Sequence, residues 1–446
     1  MNSTCVALFC SLLTLAIVSV SSGPVEKKEA WGYVNVRKDA YMFWWLYYTD
    51  RSEDYTSYPL VIWLQGGPGV SSTGYGNFME IGPLDWNLKP RNSTWLNKAN
   101  LLFIDNPVGT GFSYVTNTSA LARDNKQIAK DLVTTLYSVL DTVPEFQKTP
   151  LYIFSESYGG KMTVDFALAL TQAIKSKNIT CNFKGIALGD SWISPLDSVF
   201  TWGSYLYTLS LLDKPQLAAV KDFAYKIKLS LLHQQYKQAT DQYGQLQDII
   251  GNFTNNVDWY NILNNEGPPT ANNTVNKLDK THPLYKMFTR LVGHTYGDTL
   301  SDLMNGPIRK KLNDIPKNVT WGGQSSDVFD TLSEDFMKNV IPSVDQLLAN
   351  ESYIDVNVYT GQLDLIVDTP GTLNWIDKLT WAGLKGFSSA TRKPFASSST
   401  QTGGYVKSFK QFRLFWILKA GHMIPADAPE AALQMLDMIL SKKKYF

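Results

Sequence analysis

Cysteine is almost missing from this chain of 446 residues, which has three. Cys5 and Cys10 lie in a leading segment that reads as one removed on export, so Cys181 is left alone. A single thiol closes no intrachain disulfide, and the fold must then rest on its core. Cys181 stands just before the strand-like Gly185–Leu188, where a small buried hydrophobe is expected and a catalytic thiol is not. An excess of charge of one sign is missing too. The 41 basic and 40 acidic residues leave a formal charge of +1, which excludes a whole-molecule field that gathers nucleic acid or an anionic membrane. Histidine is rare, with four copies, so any histidine-dependent chemistry has few candidates.

Long apolar runs are also few. Val6–Val20 is too short for a comfortable membrane span and leads into Ser21-Ser22-Gly23, although it lacks a Lys or Arg before it. Residues 1–22 are therefore expected to be a signal peptide, and no later stretch has the length and purity of a membrane helix. Seven Asn-x-Ser/Thr tripeptides follow, at Asn92, Asn117, Asn178, Asn252, Asn272, Asn318 and Asn350. Their spread fits a glycosylated surface, and with the leader it predicts a secreted, lysosomal or vacuolar protein with no membrane partner after signal removal.

What is present is a rhythm of short buried strands. Trp31–Val36 and Tyr41–Tyr48 read as consecutive strands joined by a polar turn. Further strand patterns are Leu60–Leu64, Leu101–Ile104, Leu151–Phe154, Gly185–Leu188, Ile354–Tyr359 and Phe412–Leu418. Helical periodicity fills Ala120–Val143, Gly160–Ser176 and Ala428–Leu440. Strand–helix alternation after a pair of antiparallel strands predicts an α/β fold with a mixed, mostly parallel sheet covered by helices. From about Pro195 to Glu334 no buried strand pattern occurs, and the stretch is polar and helix-prone; His233, His282 and His294 fall in it. The expected organisation is a first core part over 23–195, a helical cap insertion over 196–334 and a second core part over 335–446. Arg392–Gly404 is rich in Ser and Thr and is expected to be an exposed loop; Lys442–Lys444 reads as a solvated tail.

One pentapeptide carries chemistry. Ser155-Glu156-Ser157-Tyr158-Gly159 lies between a strand pattern and a helix pattern, where a sharp turn presents Ser157 at the carboxyl edge of the sheet. Small residues are needed two places either side; Ser155 stands where Gly is usual and is small enough. A hydroxyl needs a base, and His422 follows the strand Phe412–Leu418 in Lys419-Ala-Gly-His422-Met-Ile-Pro425. The orienting acid should follow the preceding strand; Asp364 fits, with Asp368 as its near competitor. The order Ser157, Asp364, His422 is that of the α/β-hydrolases. An oxyanion needs two backbone donors, and the amide of Tyr158 and the glycine-rich Trp63–Gly69 after the strand Leu60–Leu64 supply candidates.

These blocks, with Glu80-Ile-Gly-Pro83, Asn106–Tyr114, Glu156–Gly160 and Gly421–Pro425, stand in an order that resembles the serine carboxypeptidases from Trp31 almost to the C-terminus. Gln65 where most relatives have Asn, Val70 where they have Cys, and Gly189-Asp-Ser-Trp-Ile-Ser194 point to one group within that family. The resemblance implies an α/β-hydrolase that removes C-terminal residues from peptides through an acyl-enzyme, favoured in acid, with no metal or cofactor. By matched position Ser157, His422 and Asp364 would be catalytic, Gly67 and Tyr158 the oxyanion donors, and Gln65, Gly66, Glu80 and Glu156 the binders of the substrate carboxylate. Two close glutamates share a proton, and a neutral carboxyl donates to a carboxylate that an ionised one would repel. The partner would be a peptide with a free C-terminus. Two other readings use the same residues: an acyltransferase or esterase on this scaffold, and a non-catalytic glycoprotein that binds peptides in the cleft.

Overall fold

The computed structural model describes residues 29–264, 297–398 and 400–441. The leader, Asn272, His282, His294 and Lys442–Lys444 lie outside them. The strands are β1 (Glu29–Arg37), β2 (Ala40–Tyr47), β3 (Leu60–Leu64), β4 (Asn100–Ile104), β5 (Tyr114–Val115), β6 (Pro150–Glu156), β7 (Asn182–Gly189), β8 (Asp355–Gly361), β9 (Lys393–Ser398), β10 (Gln401–Phe409) and β11 (Phe412–Ile417). They form one sheet in the order β1-β2-β4-β3-β6-β7-β8-β11-β10-β9, with β5 on β2. Neighbours from β4 to β11 are parallel, and the pairs at either end are antiparallel.

The central strands read as unbroken apolar runs because both of their faces are covered. Successive side chains point to opposite faces, so Ile62 and Leu64 join one core cluster while Val61 and Trp63 join the other. Helices α1 (Asn125–Thr142) and α2 (Tyr158–Lys175) cover the first face, with Ile128, Leu132, Leu136, Met162, Phe166 and Leu170 buried there. The C-terminal helix Pro429–Leu440 covers the second through Met435, Leu436 and Ile439. Asp124 caps α1 by accepting from the Gln127 amide at 2.8 Å.

Between β7 and β8 the described residues contain helices and no strand. They include α3 (Pro195–Thr208), α4 (Lys214–Leu232) and α5 (Tyr236–Thr254). Asp213 and Gln216 close a reciprocal cap on α4, with each backbone N–H 2.9 Å from the other's side chain.

The expected loop over Arg392–Gly404 is instead an antiparallel pair, β9 with β10, at the sheet edge. An edge strand with one solvated face needs few apolar residues, and in β9 only Phe395 is buried. Ser398, Thr400 and Thr402, which suggested a loop, are exposed at that edge. Cys181 is half-buried against the first core cluster, and burial pushes its thiol up to about 12, which keeps it protonated. His233 is an exposed residue at the end of α4.

Candidate active site

Ser157 occupies the tight turn between β6 and α2 with φ 60 and ψ −130, a conformation that L-residues rarely adopt. The surroundings over-determine it. The Ser157 amide donates to Gly189 O at 3.0 Å, and its carbonyl accepts from the amides of Gly160 at 3.0 Å and Trp192 at 2.9 Å. Crowding explains the small residues of the motif. A Cβ on Gly159 would collide with the carbonyl oxygen of Leu64, and one on Gly160 with the side chain of Ser191. Ser155 fits because its hydroxyl turns inward to Ala187 O at 3.3 Å. Ser157 is 8% exposed, so the turn presents it at a recessed surface.

His422 and Asp364 lie on loops leaving β11 and β8, two strands that are neighbours in the sheet. His422 Nδ1 stands 2.8 Å from Asp364 Oδ2, and both side chains are buried. The Val367 amide also donates to Asp364 at 3.2 Å. Asp368 is engaged elsewhere. It caps the helix Thr369–Ile376, accepting from the Gly371 amide at 3.2 Å and the Thr201 hydroxyl at 2.7 Å. Residues between β7 and β8 hold both loops. Tyr260 O accepts from the His422 amide at 2.7 Å, and Trp259 O accepts from Leu365 and Ile366. The Tyr260 ring meets the imidazole edge-on at 5.2 Å.

The glycine-rich loop after β3 presses against the turn of Ser157. A Cβ on Gly66 would stand 2.5 Å from Ser157 Cβ and 2.9 Å from the Tyr158 amide nitrogen, so only glycine lets the two backbones approach. Gly67 follows with φ 106. Asp105, fully buried after β4, pins the far side of the loop. It accepts from the Ser71 hydroxyl at 2.6 Å, the Thr73 amide at 3.0 Å and the Phe112 amide at 2.8 Å.

Gln65, Glu80 and Glu156 form a buried polar group beside this loop. Gln65 is held at both ends: Trp63 Nε1 donates to its Oε1 at 2.6 Å, and its Nε2 donates to Glu156 Oε1 at 2.7 Å. Burial pushes Glu80 up to about 7, opposed by its neighbours Glu156 and Gln65 and by the charges of His422 and Arg91. Glu156 goes higher, through burial first and then the charge of Glu80. Arg91 fixes the end of the helix that carries Glu80 by donating to Phe78 O at 2.5 Å and Gly82 O at 3.2 Å.

Two sets of residues beside this site escaped the sequence reading. Asp190 lies within reach of both Asp364 and His422. Its place in the loop directly after a parallel strand, on the edge where such sheets bind ligands, is the signal that could have found it. The other set joins α2 to the short helix Ser333–Phe336 before β8. Tyr158 Oη donates to Asp335 Oδ2 at 2.8 Å, and Lys161 Nζ lies 2.8 Å from the same oxygen. No local pattern announces that set, because Asp335 is distant in the chain.

Comparison with known proteins agrees with this architecture. The serine carboxypeptidase family profile, Peptidase_S10, matches residues 20–442. The chain is 52% identical over 421 residues to a retinoid-inducible serine carboxypeptidase of Rattus norvegicus, covering 94% of this chain and 92% of the relative. It is 50% identical to the Homo sapiens protein of that description, covering 97% and 96%. A prohormone-processing carboxypeptidase of Saccharomyces cerevisiae has a similar fold, with a TM-score of 0.79 at 22% identity over 93% of this chain and 91% of that one.

Proposed function

The chain belongs to the serine carboxypeptidase family and is a serine-type carboxypeptidase of the α/β-hydrolase fold, and from that premise we propose the role of each residue at its site. Ser157 Oγ attacks the carbonyl carbon of the last peptide bond. His422 Nε2 takes the hydroxyl proton, and Asp364 holds the imidazolium through Nδ1–H. The backbone N–H groups of Gly67 and Tyr158 receive the oxyanion. The tetrahedral species collapses, the C–N bond breaks, and His422 returns the proton to the departing amine of the terminal residue. Water then attacks the acyl-enzyme with His422 again as base, which releases the shortened peptide and restores Ser157.

The observation that carries this reading is the buried Gln65–Glu156–Glu80 group beside the nucleophile. A protonated carboxyl pair with an amide donor suits a substrate's terminal carboxylate, which would make one partner for each N–H or O–H offered. Gly66 belongs to this set through its backbone. The match holds in acid and fails as the pair loses its first proton above about pH 7. The inserted helices act as a cap over the cleft, since Trp259 and Tyr260 reach the site from that region. The exposure of Asn92, Asn117, Asn178, Asn252, Asn318 and Asn350 supports glycosylation and passage through the secretory pathway to an extracellular, lysosomal or vacuolar destination.

N-blocked dipeptides with a free or an amidated C-terminus test the reading. Release is expected from the free form, with Ser157→Ala and His422→Ala slower by about 10³-fold or more. Equal kcat/KM for free and amidated substrates in acid would defeat the proposed carboxylate site.

A further inference from the structure

Asp190 directly follows β7, on the loop between the strand that leads to Ser157 and the strand that leads to Asp364. It is 1% exposed, with its backbone in the left-handed region at φ 36. Its amide donates to Tyr359 O at 2.9 Å, and its carboxyl receives the Gly361 N–H at 2.9 and 3.2 Å. One ligand atom each of Asp190, Asp364 and His422 lie within 4.8 Å of one another, so two buried carboxyls stand side by side at the imidazole.

Two buried carboxyls this close share one proton, because both cannot ionise at that distance. Burial pushes the Asp364 carboxyl well up too, but it is the better anion of the two, because the imidazole Nδ1 at 2.8 Å and the Val367 amide at 3.2 Å favour its ionised form. Asp190 faces that anion. Glu156 on β6, Tyr205 on α3 and Tyr359 on β8 surround Asp190, Asp258 and Asp368 stand near Asp364, and His422 is the basic group. Burial and the charge of Asp364 both push the Asp190 carboxyl well up. The proton therefore sits on Asp190.

We propose that Asp190 is a positioning residue for acyl transfer: its neutral carboxylic acid donates to the Asp364 carboxylate and, through it, fixes the tautomer and aim of His422. The inference rests on the assignment of Ser157, Asp364 and His422 as the catalytic set. Asp364 then keeps its rotamer while accepting the Nδ1–H. A second negative charge beside it would hold the imidazolium too tightly and slow return of the proton to the leaving group.

The test compares Asp190→Ala and Asp190→Asn in the full chain, with Ser157→Ala and Asp364→Asn alongside. The substrates are an N-blocked dipeptide and an N-blocked amino-acid ester, followed for kcat and KM across pH. Asp190→Ala is expected to lose roughly 10–100-fold in kcat with KM within about twofold of native, as a misaimed base does. Asn keeps an N–H donor and an oxygen acceptor but carries no charge. It is expected to recover kcat to within about threefold and to keep the native pH profile. Native kcat in Asp190→Ala overturns the proposal. So does an Asn variant as slow as Ala, or one with a displaced profile, since Asp190 would then act as a charge. Should the Ala variant fail to fold by circular dichroism, the Asn profile alone decides. Native turnover in Ser157→Ala or Asp364→Asn would instead remove the catalytic assignment, and the proposal with it.

Discussion

Glu156 and Ser157 are adjacent in the chain and meet opposite demands. Ser157 must open to the cleft, while Glu156 must face the buried group beside Gln65 to keep its proton. The turn between β6 and α2 sends them apart, with Glu156 ending the strand beside Gln65 and Ser157 starting the helix. KM for an N-blocked dipeptide is expected to rise as pH climbs through about 7, because the glutamate pair then becomes anionic. Glu80→Gln removes the group that titrates near about 7 and keeps an N–H donor at every pH, so its KM should vary far less between about pH 5 and 8 in steady-state kinetics. Gly159 answers to a steric demand. Gly159→Ala drives a methyl group into the Leu64 carbonyl and should lower stability by about 1–3 kcal/mol or more, read by chemical denaturation. The small residues around Ser157 were legible in the sequence because the turn is local. The fit of Gln65 was not, since its partners Trp63 and Glu156 come from two different strands.

At the scale of elements, α2 does two jobs. Its apolar side covers the sheet, and its first turn carries Tyr158 and Lys161 to Asp335 in the short helix Ser333–Phe336. The Tyr158 ring also stacks on Phe336, with planes 2° apart. Burial lowers the pKa of Lys161, opposed by Asp335. Asp335→Ala strands that ammonium and should cost about 3–5 kcal/mol in chemical denaturation. Pairing it with Lys161→Met should recover much of the loss, because an apolar chain of similar length needs no partner. Strand and helix identities were readable where burial imposes a period, as in β3, whose bounds match the apolar run Leu60–Leu64. They were unreadable in β9, where a solvated edge leaves no period to see.

Across the whole molecule, the buried acids make stability depend on pH in a set direction. Glu80 titrates near about 7 in the fold, against about 4.3 in an unfolded chain. The folded state therefore binds that proton more tightly. The stabilisation is complete below about pH 4.3 and is lost as pH rises through about 7. The thermal midpoint should fall between about pH 5 and 8, and Glu80→Gln should flatten that decline in calorimetry. The chain by itself determined the mixed, mostly parallel sheet and the strand-end loops that carry Ser157, Asp364 and His422. Those follow from apolar runs and turn residues, which act over a few neighbours. The tertiary structure alone decided that Asp364 meets His422 while Asp368 caps a helix. It alone brought Asp190 beside Asp364 and Glu80 beside Glu156, and so set where protons reside. Charge state depends on burial and on distances of a few ångströms between loops far apart in sequence, and only the closed sheet sets those distances.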